Sequence, residues 1–152
     1  MAAQKFDIVS IGDSTIDVFL TVDPHDSQAV CNLDEVECKI SFAYGAKVPV
    51  SSMARIPGVG NAANLAVGTS RLGFSSAIYT VLGSDKDSQD NRAVLEEEGV
   101  LGDLIVMENG GKSNFSAVLN YSAERTIFVY HEPKEYDLPE FSADWIYLTS
   151  RI

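Results

Sequence analysis

The sequence predicts an α/β protein: a layered sheet with parallel crossovers, carrying a small accessory β sheet. Three observations lead there. Short apolar, β-branched runs at Phe6–Gly12, Ser76–Leu82, Leu104–Met107 and Trp145–Leu148 read as buried strands. Two stretches of helical character, Asn61–Leu72 and Lys86–Glu98, stand between them, and strands alternating with helices favour parallel pairing through helical crossovers. Two weaker strand patterns, Val36–Phe42 and Val48–Ile56, flank Tyr44-Gly45-Ala46-Lys47 and predict a hairpin or small sheet projecting from the body.

The first strand ends in Gly12, and Asp13-Ser14-Thr15-Ile16-Asp17 carries the chain over its edge before Val18–Val22 resumes an extended pattern. Asp23-Pro24-His25-Asp26-Ser27 is a turn, with a short helix expected through Leu33. Pro57-Gly58-Val59-Gly60 breaks the strand pattern. In the helix that follows, Ala62, Ala63, Leu65, Ala66 and Ser70 suit close packing on a sheet, and Gly73 ends it as a C-terminal cap. After Gly83-Ser84-Asp85, the second helix reads as exposed, with Lys86, Asp87, Glu96, Glu97 and Glu98 on a solvated face and Gly99 as its stop. Phe115–Tyr121 and Thr126–Tyr130 flank Ser122-Ala123-Glu124-Arg125, a hairpin signal; His131–Ser142 is polar and proline-containing. A parallel strand is normally followed by a covering helix, yet the sequence ends two residues after Thr149-Ser150, so it reads as truncated.

Composition narrows the partners. With 22 acidic against 11 basic residues the net charge is −11, a field that repels nucleic-acid backbones and anionic lipid. A neutral ligand is unaffected, whereas an anionic one would need a local cluster of donors. No apolar run approaches the roughly 20 residues that span a bilayer, and the N-terminus lacks a signal-peptide pattern, so a cytoplasmic location is expected. Cys31 and Cys38, near His25, lack the paired spacing of a zinc site and read as free thiols; no metal site is expected.

The most informative stretch is Pro57–Ala66, running on to Arg71-Leu72-Gly73. Glycine ahead of a helix lets a ligand approach the backbone, where the first turn offers unpaired N–H groups. Asn61 and Asn64, three apart, carry amides that donate and accept, which suits a polyol better than a plain anion; a capped, tightly packed helix would explain the same residues. Asp13 and Asp17 form a carboxylate pair at the C-terminal edge of the first strand, where open α/β sheets bind ligands, although turn and capping duty is the alternative. Ser113-Asn114 enters a strand near a sheet edge, as a contact or as a turn.

Two other motifs are weak in their context, and the second stands as a third reading of the function. Gly58-x-Gly60-x-x-Ala63 with Asp85 spells a dinucleotide fingerprint, but Arg55-Ile56-Pro57 precedes it where an apolar strand is needed. Gly12-Asp13-Ser14 matches the opening of SGNH-type hydrolases with Ser14 as nucleophile; that chemistry needs an Asp-x-x-His base late in the chain, and Phe128 stands three before His131.

In series, these segments resemble the ribokinase or PfkB family of carbohydrate and nucleoside kinases. Asp7–Asp17 resembles its opening strand and sugar-binding aspartate. Val59–Gly73 is similar to the signature GGNxANxAxxxxRLG, Val81–Asp85 to VGxD, Glu97-Glu98-Gly99-Val100 to EEGV, and Glu124–Ile127 to ERTI. Val59 and Ser88 stand where those patterns carry glycine. The resemblance implies that residues 1–152 form the N-terminal, substrate-binding half of a ribokinase-like domain, with strands at about 18–22, 36–42 and 48–56 as a lid that in this family often mediates dimerisation. It implies that Asp17, Gly60, Asn61 and Asn64 contact the sugar or nucleoside, with Asp13 and Asn114 as further candidates. The family's catalytic Gly-Ala-Gly-Asp element, which forms the anion hole and supplies the base, is not in this sequence, so no catalytic residue is assigned. The implied activity is ATP-dependent phosphorylation of a sugar or nucleoside hydroxyl. ATP and Mg2+ are expected with the full-length family member, not on this chain, which is expected to be inactive alone. A non-catalytic, ligand-binding or dimerising paralogue is the alternative.

Overall fold

The computed structural model describes residues 5–23, 25, 28–31 and 38–149. In chain order its elements are β1 (Lys5–Ile11), β2 (Thr15–Val22), β3 (Gln28–Cys31), β4 (Cys38–Ser41), β5 (Val50–Val59), α1 (Asn61–Arg71), β6 (Ser76–Leu82), α2 (Lys86–Glu97), β7 (Ile105–Met107), β8 (Asn114–Tyr121), β9 (Glu124–Tyr130) and β10 (Ser142–Leu148). The body is a sheet of order β10-β1-β6-β7 with every pairing parallel, as the alternation of strands and helices predicts.

β6 is buried along its whole length and divides two apolar clusters. Ile78 and Leu82 face α1 and α2, packing with Ala62, Ala63, Ala66, Leu95, Val100 and Ile105. The alanines are fully buried because a helix lying this close to a sheet has room only for methyl groups. Ala77, Tyr79 and Val81 face the other way with Phe6, Val9, Ile11 and Leu104, and there Tyr136 and Phe141 of the irregular segment 131–141 supply the cover.

α1 ends on Gly73, whose φ of 89° lets Gly73 N–H reach the Ser70 carbonyl and Phe74 N–H the Thr69 carbonyl. The Arg71 guanidinium grips both carboxylate oxygens of Glu98, at 2.7 and 2.6 Å, and Ser70 Oγ donates to the Glu98 carbonyl. The Arg-Leu-Gly and Glu-Glu-Gly-Val segments are therefore two ends of one contact that ties α1 to α2.

A second sheet, of order β5-β2-β8-β9, is the larger accessory. It departs from expectation in three ways. Segments 36–42 and 48–56 do not form a hairpin with each other: β4 pairs with β3 in a separate ribbon, and β5 pairs antiparallel with β2. The β8–β9 hairpin joins this sheet through parallel pairing of β8 with β2. β5 continues through Pro57 to Val59, since an edge strand loses nothing when one residue lacks an N–H. The short helix expected through Leu33 is also replaced, over Gln28–Cys31, by strand; residues 24, 26–27, 32–37 and 150–152 lie outside the described set. Among the described residues no helix is long and apolar enough to cross a membrane.

Candidate functional site

A cleft of about 320 Å³ opens where the C-terminal edge of β1 meets the accessory sheet. Asp13, Thr15, Asp17, Gly60, Asn61, Asn114, Ser116, Ile127, Val129, His131 and Thr149 line it. Five of the six candidate residues thus come together from three separate segments, 13–17, 60–61 and 114. Asn64, one turn further along α1, is exposed and is not among the lining residues.

The two carboxylates differ in what they hold. Asp13 accepts a 2.6 Å hydrogen bond from Tyr136 Oη on one oxygen and faces His131 Nδ1 at 3.5 Å on the other. Asp17 Oδ1, on β2, is buried and makes no hydrogen bond among the described residues. Alternation along β2 puts Thr15 and Asp17 on the cleft side, and β8 and β9 present Asn114, Ser116, Ile127 and Val129 to the same side by the same rule.

Gly60 is the N-cap of α1, with φ 108° and no side-chain cap beyond it. A Cβ at this position would lie 3.0 Å from the Asp13 carbonyl oxygen, so only glycine brings the start of the helix this close to the strand-one loop. Asn61 is therefore the first helical residue rather than the cap, and the first intrahelical bond runs from Asn64 N–H to the Gly60 carbonyl. Asn114 is buried, and its Oδ1 accepts the Glu132 N–H at 2.9 Å, which fixes its amide at the head of β8.

Sequence reasoning missed Thr15 on β2 and Thr149 after β10, and it missed Ser116, Ile127, Val129, His131 and Tyr136, which lie on β8, β9 or the segment after them. For the second group the only sequence signal was a hairpin, and nothing local says which sheet a hairpin joins.

Charge in the cleft is acidic. No Lys or Arg is among its described lining residues. Lys134, nearby in sequence, donates from Nζ to the Val81 carbonyl at 2.8 Å. Burial pushes its ammonium below the usual lysine value, against the carboxylates of Asp13, Glu108, Asp85 and Glu132, which act in the opposite sense. Ser14 is fully buried, and no base hydrogen-bonds to its Oγ, an arrangement that leaves the hydroxyl unactivated. The glycines of the dinucleotide-like motif follow an antiparallel edge strand rather than a parallel one.

The sequence matches the family described as pfkB family carbohydrate kinase over residues 5–151. No curated protein matches it. Among solved structures it is similar to the Methanocaldococcus jannaschii nucleoside kinase, an archaeal member of the ribokinase family, at 16% identity and a TM-score of 0.71, covering 93% of this chain and 44% of that one. The Halothermothrix orenii fructokinase gives 24% identity and a TM-score of 0.65 over 93% of this chain and 45% of that one. The Arabidopsis thaliana ribokinase complexed with ribose and ATP gives 17% and 0.64, over 85% and 37%. At these identities the likeness establishes the fold, and the chain spans less than half the length of each. With the family match running over nearly the whole sequence, the chain belongs to the pfkB carbohydrate kinase family.

Proposed function

We propose that this chain carries the substrate-binding part of an ATP-dependent sugar or nucleoside kinase, and that the cleft takes an uncharged polyhydroxy ligand. The observation that carries the reading is Asp17 Oδ1: a carboxylate oxygen buried at the cleft with no hydrogen-bond partner among the described residues. Leaving such an acceptor unmet costs roughly 1–3 kcal/mol or more, and a pair of ligand hydroxyls meets it. Asn61, Asn114, Ser116 and the backbone at Gly60 add donors and acceptors around it, with Asn64 on the following turn of α1. Ile127 and Val129 give an apolar shelf for the C–H face of a ring. Asp13, already engaged by Tyr136 and His131, braces the loop.

The cleft residues do not fit a nucleotide triphosphate. Two carboxylates without a lining Lys or Arg repel it, and among the described residues no three His, Cys, Asp or Glu side chains gather to hold a metal ion. In this reading ATP and Mg2+ engage parts of the kinase beyond this chain, and the isolated chain does not catalyse transfer.

The test is to titrate the chain with D-ribose, D-fructose and inosine, following backbone amide shifts by NMR, with an ATP-consumption assay alongside. Saturable shifts at Asp17, Gly60 and Asn61 that vanish in Asp17→Asn are expected, with no ATP turnover. Absence of any saturable shift sinks the binding reading, and sugar-dependent turnover sinks the claim of inactivity.

A second reading, homodimerisation through the lid, is favoured by one observation. Met53, Phe115, Phe128 and Tyr130 are exposed on the sheet face opposite the cleft residues, an apolar surface of the kind that pairs with a partner.

A further inference from the structure

The sequence presents α2 as an exposed, heavily charged helix, yet Asn91 within it is fully buried. Its amide is used at both ends. Oδ1 accepts the Gly58 N–H at 2.5 Å, and Nδ2 donates to Ser113 Oγ at 3.0 Å. Gly58 and Ser113 belong to the two segments that deliver ligand-facing groups to the cleft: Gly60 and Asn61 follow the first, and Asn114 follows the second. These segments are 55 residues apart by number and their strands, β5 and β8, are not neighbours in the accessory sheet, because β2 lies between them. In the sheet they meet only through Thr15 of β2, which pairs with Val59 on one side and Asn114 on the other, and the Asn91 side chain adds a direct link from Gly58 to Ser113.

The surroundings make that link rigid. Asp85, the N-cap of α2, accepts the Ser88 N–H at 2.9 Å and the Ser113 N–H at 3.0 Å, so α2 grips Ser113 by both its N–H and its hydroxyl. Gly58, at φ 70°, lies against Val94 of the same helix: a Cβ there would sit 3.2 Å from Val94 Cγ1. Arg55 reaches Asp87 and Asp90 at 2.5 and 2.9 Å, one turn before the clamp. A buried amide that both donates and accepts can hold an N–H on one side and a hydroxyl on the other; leucine, of similar volume, satisfies neither.

We infer that Asn91 is a positioning residue that sets the distance between the Gly58–Asn61 turn and Asn114, and through it the affinity of the cleft for its ligand. The inference rests on the cleft being the ligand site, but its structural half is measurable without any ligand.

The experiment compares Asn91→Leu and Ser113→Ala with Leu95→Ala, a buried α2 change outside the clamp. Amide shifts of Gly60, Asn61 and Asn114 and the Kd for D-ribose are measured at a temperature where each variant is folded. Expected is that Asn91→Leu moves the Gly60, Asn61 and Asn114 resonances together and weakens ribose at least tenfold, while Leu95→Ala, at similar loss of Tm, changes Kd less than threefold. If Asn91→Leu does not fold, Ser113→Ala decides: it removes the hydroxyl that Asn91 Nδ2 holds while leaving the Thr15 pairings and the Ser113 N–H to Asp85 in place, so joint shifts at Gly60 and Asn61 then report the clamp. Shifts confined to the neighbours of residue 113, or equal effects of Leu95→Ala, overturn the inference. Should ribose, fructose and inosine all fail to bind the unmodified chain, the sugar reading falls, and the shared shifts alone then decide whether Asn91 couples the two segments.

Discussion

Tyr136 Oη donates a 2.6 Å hydrogen bond to Asp13 Oδ1, joining a segment with no regular secondary structure to the loop at the end of the first strand. The tyrosine ring packs against the cluster of Phe6, Val9, Tyr79 and Val81, so the core that the ring helps to seal also fixes where its hydroxyl can go. A cleft carboxylate is thereby held in place by the packing of the body sheet.

Tyr136→Phe keeps that packing and removes the hydrogen bond. Because the acceptor is a partly buried carboxylate, a loss of about 1.5–3 kcal/mol is expected in urea denaturation. In a cycle with Asp13→Asn the two changes should be clearly sub-additive; full additivity would mean the bond contributes nothing.

Two glycines on either side of the first helical turn should respond oppositely to alanine. Gly60→Ala forces a Cβ at φ 108° to within 3.0 Å of the Asp13 carbonyl, and a cost of about 1–3 kcal/mol is expected, with displacement of the Asn61 amide resonance. Gly68, inside α1, has nothing within 4 Å of its would-be Cβ, so Gly68→Ala should raise stability by roughly 0.5–1 kcal/mol. Thermal unfolding of the two variants beside the parent checks both signs.

Acid should loosen the grip of α2 on Ser113. Burial alone pushes the Asp85 carboxyl up, but hydrogen bonds from Ser88 and Ser113, with the Lys134 charge, outweigh it and hold it below the usual carboxylate range. A pKa lower in the folded state than in the unfolded chain gives stability that is present above the unfolded value and is lost as pH falls through the folded one. Urea midpoints should therefore drop between about pH 5 and pH 3, and Asp85→Asn should flatten that slope while lowering stability at pH 7. An unchanged slope in the variant would count against Asp85 as the group responsible.

Phosphorylated ligands should bind worse than neutral ones. With Asp13 and Asp17 in the lining and no Lys or Arg among its described residues, a phosphate dianion meets two carboxylates there, and the nearby Lys134 ammonium already acts on Asp13. D-ribose 5-phosphate is expected to bind at least tenfold more weakly than D-ribose, with the gap narrowing at high salt. Equal affinities would remove the electrostatic argument.

If the proposed pairing through the exposed face of the accessory sheet holds, an oligomer follows. Sedimentation at rising concentration should show a dimer that Met53→Lys and Phe128→Lys each weaken, since both side chains lie exposed on the face away from the cleft. A monomer at every concentration would eliminate the lid as a pairing surface.

Much of the body was legible in the sequence. β1, α1, β6 and α2 announce themselves through apolar runs, alanines at helical spacing and glycine stops, all of which act within a few residues. The candidate site was legible in part. Asp13, Asp17, Gly60, Asn61 and Asn114 do converge on one cleft: Asp13 follows the end of β1, Gly60 and Asn61 open α1, and Asp17 and Asn114 lie near the heads of β2 and β8, which pair in parallel. Asn91 was not legible. Among Asp87, Asp90 and Glu96 it reads as one more polar residue on a solvated helix, and only the meeting of β5 and β8 beneath the helix makes it a buried clamp. The charged residues around it are exposed or half-buried, and paired: Arg55 bridges to Asp87 and Asp90, Lys86 contacts Asp90, and Arg92 contacts Glu96.

By itself, then, the sequence determined the α/β body, the order of its strands and helices, and the glycine–asparagine turn at the head of α1. Those features follow from local propensity and periodicity, which any short window of chain carries. The tertiary structure decided which strands pair in the accessory sheet, that β8 and β9 supply four of the eleven cleft residues, that Asp13 is tied to Tyr136 while Asp17 Oδ1 has no hydrogen-bond partner among the described residues, and that Asn91 is inside. Strand pairing and burial depend on groups far apart in sequence, and a hydrogen-bonding edge accepts many partners equally well until the whole core has chosen one.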